Sequence, residues 1–131
     1  MIVADSNVIA YLYLPGKLSA LSEQLLLRDS QWAVPRLWRS EVQNILATYM
    51  KQKLLTLDDA LTIFDRAVAL VSGNEYDVAA AQVLRLAKAS GCSAYDCEFV
   101  ALAQHLQVPL VSADARLCKA FPDCTLALTA A

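Results

Sequence analysis

Short apolar runs alternate with stretches of helical periodicity along this chain. Ile2-Val3-Ala4 is stopped at once by Asp5-Ser6-Asn7, which predicts a buried strand feeding a helix. Pro15-Gly16 punctuates that helix, and residues 17–28 form the next one, with Leu18, Leu21, Leu25 and Leu26 on its inner face. Trp32-Ala33-Val34 is a second strand candidate. Pro35 then suits the first turn of a helix, where its fixed φ and missing N–H do no harm, and that helix extends to about residue 53. Thr56 and Asp59 have capping-box spacing for a helix over 56–71, and Ser72-Gly73-Asn74 breaks the chain. The pattern next predicts a helix over 75–89 closed by Gly91, and a helix over 93–107 opened by Ser93. A strand at 109–112, a short helix at 115–120 and an edge strand at 125–128 complete the reading. No repeat or linker interrupts it, so residues 1–131 read as one domain.

Short apolar strands separated by helices are the pattern of a parallel sheet covered by helices, an α/β fold. Ligands in such folds bind beyond the carboxyl ends of the strands. Asp5 and Asp114 each follow an apolar strand directly, which puts both on that side. Each also fits an ordinary role as a helix N-cap. Asp96 lies three residues after Ser93, again at capping-box spacing, with Phe99, Val100 and Ala103 following on its helix. Glu41 stands four residues after Leu37 and four before Ile45, within an apolar stripe that also holds Trp38, Val42 and Leu46. A carboxylate projecting from such a stripe is desolvated, at a cost of several kcal/mol, unless Arg or Lys pairs with it or another cation compensates it.

Brought together, Asp5, Glu41, Asp96 and Asp114 would repel one another unless cations lay between them. Hard oxygen ligands select Mg²⁺ or Mn²⁺. Metal-assisted phosphodiester hydrolysis is the chemistry such a site serves. The balance of 11 Lys and Arg against 13 Asp and Glu, a formal net charge of −2, argues against a nucleic-acid binder held by bulk positive charge. A local patch must do that work, and Arg36, Arg39, Arg116 and Lys119 lie nearest the acidic segments.

The hydrophobic fraction of 57%, with three Gly and four Pro, excludes disorder and low-complexity sequence. A mean hydropathy of +0.40 and the apolar stripe Leu54, Leu55, Leu57, Leu61 and Phe64 suit either an ordinary core or a surface that a partner covers. The N-terminus carries no basic leader and no apolar run is long enough for a bilayer, so the expected setting is the cytoplasm, without membrane attachment. Cys92, Cys97, Cys118 and Cys124 lack the close pairing of a zinc site and read as reduced, buried thiols. His105, the one histidine, has no serine or cysteine motif around it. No glycine-rich phosphate loop exists, and Ser6-Asn7 does not supply the acidic pair of a phosphoacceptor domain.

These residues resemble the PIN-domain family, and within it the VapC-type toxin ribonucleases, over essentially the whole length. The resemblance is carried by Val3-Ala4-Asp5-Ser6-Asn7-Val8-Ile9, by Ser40-Glu41-Val42, by Ser93-Ala94-Tyr95-Asp96 with Phe99-Val100-Ala101-Leu102-Ala103, and by Leu110-Val111-Ser112-Ala113-Asp114-Ala115-Arg116-Leu117. It implies a three-layer α/β/α sandwich with a small, mostly parallel central sheet. It also implies an Mg²⁺- or Mn²⁺-dependent endoribonuclease whose catalytic and metal-binding residues are Asp5, Glu41, Asp96 and Asp114. Asn7, Ser112, Arg116 and Arg39 are the expected substrate-binding residues, with Ser112 where the family often has threonine. A homodimer, an RNA substrate and a cognate antitoxin are the implied partners. An RNA-processing nuclease without an antitoxin and an inactive protein-interaction module are the alternatives.

Overall fold

A computed structural model describes all 131 residues. The elements run β1 (Ile2–Ala4), α1 (Ser6–Tyr13), α2 (Ser19–Arg28), β2 (Trp32–Pro35), α3 (Trp38–Lys51), α4 (Leu57–Leu70), β3 (Glu75–Tyr76), α5 (Ala80–Ser90), α6 (Ala94–Leu106), β4 (Leu110–Ser112), α7 (Ala115–Ala120) and β5 (Thr125–Ala127), with a closing 3-10 turn at Leu128–Ala130. The five strands pair in the order β3-β2-β1-β4-β5, all parallel. β1 is central, its Val3 facing Ala33 on one side and Leu110 on the other. The chain builds outward from β1 in both directions, so the crevice beside it is a topological switch point.

Helices α1 to α4 pack on one another, while α5 packs on α6, which lies along β1, β2 and β4. Helices thus cover the sheet in an α/β/α sandwich. β1, β2 and β4 are buried throughout, as continuous apolar strands require, and they anchor a core of 25 buried residues that includes Trp32, Trp38 and Phe99. The buried Ser22 hydroxyl donates to the Val8 carbonyl at 2.9 Å, and Trp32 Nε1 donates to the Asp29 carbonyl at 2.8 Å. No helix is long and apolar enough to cross a membrane.

Most expected elements form, including both halves of the Thr56–Asp59 capping box and the left-handed Gly91 cap (φ +74°). Two expectations are corrected. Pro35 ends β2 and opens no helix; α3 begins at Trp38. Pairing between β1 and β2 stops at Ala33, while Val34 N–H and Arg36 N–H donate to β3-side carbonyls, so the missing N–H of Pro35 breaks no ladder bond. The expected helix over 75–89 starts only at Ala80, because Glu75 and Tyr76 form β3. Tertiary contacts fix this edge: Glu75 accepts from Trp38 Nε1 at 2.9 Å and from both Arg39 Nε and Nη2, at 2.8 and 2.7 Å. Trp38 is itself stacked on Phe64, with ring centroids 5.5 Å apart.

The Arg39 guanidinium, helped by Trp38, holds the Glu75 carboxyl down at about 2, against an ordinary 4.5. A depressed carboxylate stabilises the fold above its unfolded pKa, and that contribution disappears as pH falls through the folded value. The stability advantage of the wild type over Glu75→Gln is therefore greatest above about pH 4.5 and narrows toward pH 2. Urea unfolding at stepped pH measures it, and a gap that stays constant over this range contradicts the pairing.

Candidate active site

The site grows from the ends of β1 and β4. Asp5 leaves β1 extended (φ −66°, ψ 153°) and caps α1, its Oδ1 accepting from Ser6 N–H at 2.8 Å. Its other oxygen accepts from the buried Ser112 hydroxyl at 2.6 Å, and that hydroxyl accepts in turn from Asp114 N–H at 2.9 Å. Asp114 caps α7, its Oδ1 accepting from Arg116 N–H at 2.9 Å and Leu117 N–H at 3.3 Å. From α3, Glu41 accepts the Ser6 hydroxyl at 2.7 Å. From α6, Asp96 donates its N–H to Ser93 Oγ at 3.1 Å, half of a capping box. Three of these acids thus sit where helix starts need them.

Asp5, Glu41, Asp96 and Asp114 all line one cleft of about 430 Å³, together with Ser6, Asn7, Ser40, Asn44, Leu37, Ile45 and Tyr95. Burial pushes the Asp5 carboxyl upward, against the Ser112 hydroxyl and Ser6 N–H, and repulsion from Asp96 and Asp114 adds to the rise. Glu41 is raised by burial, opposed by the Ser6 hydroxyl and reinforced by Asp5, Asp96 and Glu98. Asp96 is raised by burial and by Asp114, with Ser93 and Arg116 opposing. Three acids thus resist ionising together.

No three acidic, His or Cys side chains stand close enough to form a closed metal cage by themselves. The donor set nonetheless fits a hydrated hard cation: every donor is an oxygen, and the buried Asn7 Oδ1, on the wall of the same cleft, has no hydrogen-bond partner. Asp5, Glu41, Asp96 and Asp114, with Asn7 beside them, are the residues that could hold such an ion, partly through water.

The other expected residues divide. Arg116 lines a second cleft of about 720 Å³ with Lys119, and this cleft shares Asp96 and Asp114 with the first. Ser112 is fully buried and lines neither cleft; its hydroxyl donates to Asp5 and accepts from Asp114 N–H, so it orients the acids from beneath. Arg39 lines neither cleft. Glu75 captures it, with its guanidinium 5.7 Å from the centre of the Trp38 ring. Arg36 pairs likewise with Asp77 at 2.9 Å. Sequence reasoning did not single out Ser6, Ser40, Asn44 or Glu98. Only Ser6, adjacent to Asp5 at the first position of α1, carried a signal in its position.

The fold and site define a PIN domain. The PIN domain family model matches residues 2–121, and the chain belongs to that family. It is 27% identical over 124 residues to Ribonuclease VapC3 of Pyrobaculum aerophilum, covering 92% of this chain and 95% of that protein. In three dimensions it is similar to FitAcB from Neisseria gonorrhoeae (TM-score 0.73, 18% identity, 98% and 99% of the two chains). It is also similar to a chain of a toxin–antitoxin complex from Klebsiella pneumoniae (TM-score 0.68, 16% identity, 98% of each chain).

Raised carboxyl pKa values mean that the folded state binds more protons than the unfolded one, so the acids' contribution to stability falls as pH rises from the ordinary range near 3.8–4.5 through the raised values. Removing one charge relieves the others. In metal-free buffer at neutral pH, Asp96→Asn has a Tm equal to or above that of the wild type, and this advantage shrinks as pH drops into the carboxylate range. Calorimetry at several pH values reads it; a clear loss of Tm at neutral pH contradicts the mutual repulsion.

Proposed function

We propose that this chain, as one PIN-like domain over residues 1–131, is a divalent-cation-dependent endoribonuclease and the toxin of a toxin–antitoxin pair. The observation that carries the proposal is the meeting of Asp5, Glu41, Asp96 and Asp114 in one cleft, three of them with carboxyls pushed upward. The name of the relative, Ribonuclease VapC3, supports RNA as the substrate, and the neighbour described as a toxin–antitoxin complex supports an antitoxin as partner. A homodimer is part of the same reading.

Asp5, Asp96 and Asp114 would hold Mg²⁺ or Mn²⁺, with Glu41 close by. Bound there, such an ion supplies an acidified water and positive charge against a phosphate. The chain's own groups do the positioning. Ser112 and Ser6 N–H fix both oxygens of Asp5, so its carboxylate is oriented before substrate arrives. The Ser6 hydroxyl fixes Glu41 through Oε1 and leaves Oε2 without a protein partner, free to orient the attacking water and receive its proton. In-line attack of that water would form the new P–O bond and break the bond from phosphorus to the 3′ oxygen, which takes a proton from solvent, leaving a 5′-phosphate and a 3′-hydroxyl.

The test compares wild type and Asp96→Asn on cellular RNA with Mg²⁺, with Mn²⁺ and with chelator, mapping new 5′ ends. The expected result is cleavage that chelator abolishes and that the variant lowers about a thousandfold, the loss of several kcal/mol of charge stabilisation. Undiminished cleavage by a folded Asp96→Asn protein contradicts the proposal.

A further inference from the structure

Two of the four free cysteines meet at the start of α6. Ser93 is the N-cap of that helix, so Cys92 precedes the cap and Cys97 is the fourth residue of the helix. Side chains at these two positions fold onto each other as a hydrophobic staple. Cys97 is fully buried with Val83 and Ala101, and Cys92 packs against the same cluster. A single hydroxyl touches both residues: Ser90 Oγ accepts from Cys92 N–H at 3.0 Å and lies 4.0 Å from Cys97 Sγ. The two thiols differ in access. Cys92 is half-buried and lines the cleft of about 720 Å³ that reaches Asp96 and Asp114, whereas Cys97 is closed off from solvent.

We propose that Cys92 and Cys97 form a reversible disulfide that closes across the first turn of α6 and switches the site off by displacing Asp96. The co-reactant is a small disulfide such as oxidised glutathione, admitted by the cleft that Cys92 lines. The Cys92 thiolate attacks one of its sulfurs, forming a mixed disulfide and breaking the glutathione S–S bond. Cys97 then attacks the Cys92 sulfur, forming the Cys92–Cys97 bond and expelling the second glutathione. The two cysteine sulfurs lose two electrons, which reduce the glutathione disulfide, and the two thiol protons end on the released glutathione thiols. The ring so closed spans residues 92–97 and contains Asp96. An S–S bond of about 2 Å is shorter than any non-bonded contact, so the turn that carries Asp96 must shift as the sulfurs join. A displacement of about 1 Å at a catalytic group costs about a hundredfold in rate. The effect on cleavage rests on the ribonuclease reading; the disulfide itself does not.

The test exposes reduced wild type and Cys92→Ser to excess oxidised glutathione, alkylates the remaining thiols in denaturant and digests with trypsin. Residues 89–116 form one tryptic peptide that holds Cys92 and Cys97 and neither Cys118 nor Cys124. The expected wild-type peptide is unalkylated and lighter by two hydrogens than its reduced form. Over the same course, RNA cleavage by the wild type falls about a hundredfold and returns with dithiothreitol, while Cys92→Ser cleaves equally in both conditions. Double alkylation of the peptide after oxidation, a mixed disulfide left on Cys92, a bond to Cys118 or Cys124 instead, or full cleavage by the disulfide-bonded protein overturns the proposal. Reduced wild type that cleaves no RNA overturns the ribonuclease reading alone, and the peptide still decides the disulfide.

Discussion

The parallel pairing of β1 with β4 brings together residues more than a hundred positions apart. Asp5 N–H donates to the Val111 carbonyl at 3.0 Å, Ser112 Oγ donates to Asp5, and Asp114 N–H donates back to Ser112 Oγ. One buried hydroxyl thereby sets the orientation of one acid and the approach of another. Each strand is only three residues long, so a slip of one residue in register would turn Ser112 to the opposite face and unlink the acids. Burial of β1, β2 and β4 guards against that slip, because every alternative register exposes apolar side chains or buries polar ones. The sandwich is thus the means by which charges that repel one another are kept adjacent.

That adjacency has an electrostatic consequence. Burial and mutual repulsion push Asp5, Glu41 and Asp96 above their ordinary range, while hydroxyls and backbone N–H groups pull the other way. The N-terminal end of α1 favours negative charge at Asp5, which offsets part of the repulsion. Elsewhere the chain neutralises its charges locally, as in Arg39 with Glu75 and Arg36 with Asp77. The acids of the cleft have no such basic partner, and Arg116 and Lys119 line the adjoining cleft without an ion pair. A fold stabilised by an apolar core can tolerate the repulsion among these acids.

Much of this was legible in the order of residues. The apolar strands, Asp5 and Asp114 just past two of them, and the capping signals at Thr56, Gly91 and Ser93 located the main elements and the ligand side of the sheet. Glu41 stood out because a carboxylate in an apolar stripe needs a reason, and its partner is the Ser6 hydroxyl beside Asp5. What was not legible depends on contacts distant in sequence. β3 is two residues long, too short to show alternation, and is held by Trp38 and Arg39 from another element. For the same reason Arg39, near the acidic motif in sequence, is drawn away by Glu75. Ser112 is legible as a hydroxyl at a strand end, but only the fold reveals that it links Asp5 to Asp114.

The most direct measurement is anomalous diffraction from crystals equilibrated with Mn²⁺. It predicts a peak in the cleft among Asp5, Asp96 and Asp114, near Glu41, that is absent in crystals of Asp5→Asn. A cleft that stays empty at saturating Mn²⁺, or a peak of equal height in the variant, would contradict the claim that these carboxylates are gathered to hold a divalent cation.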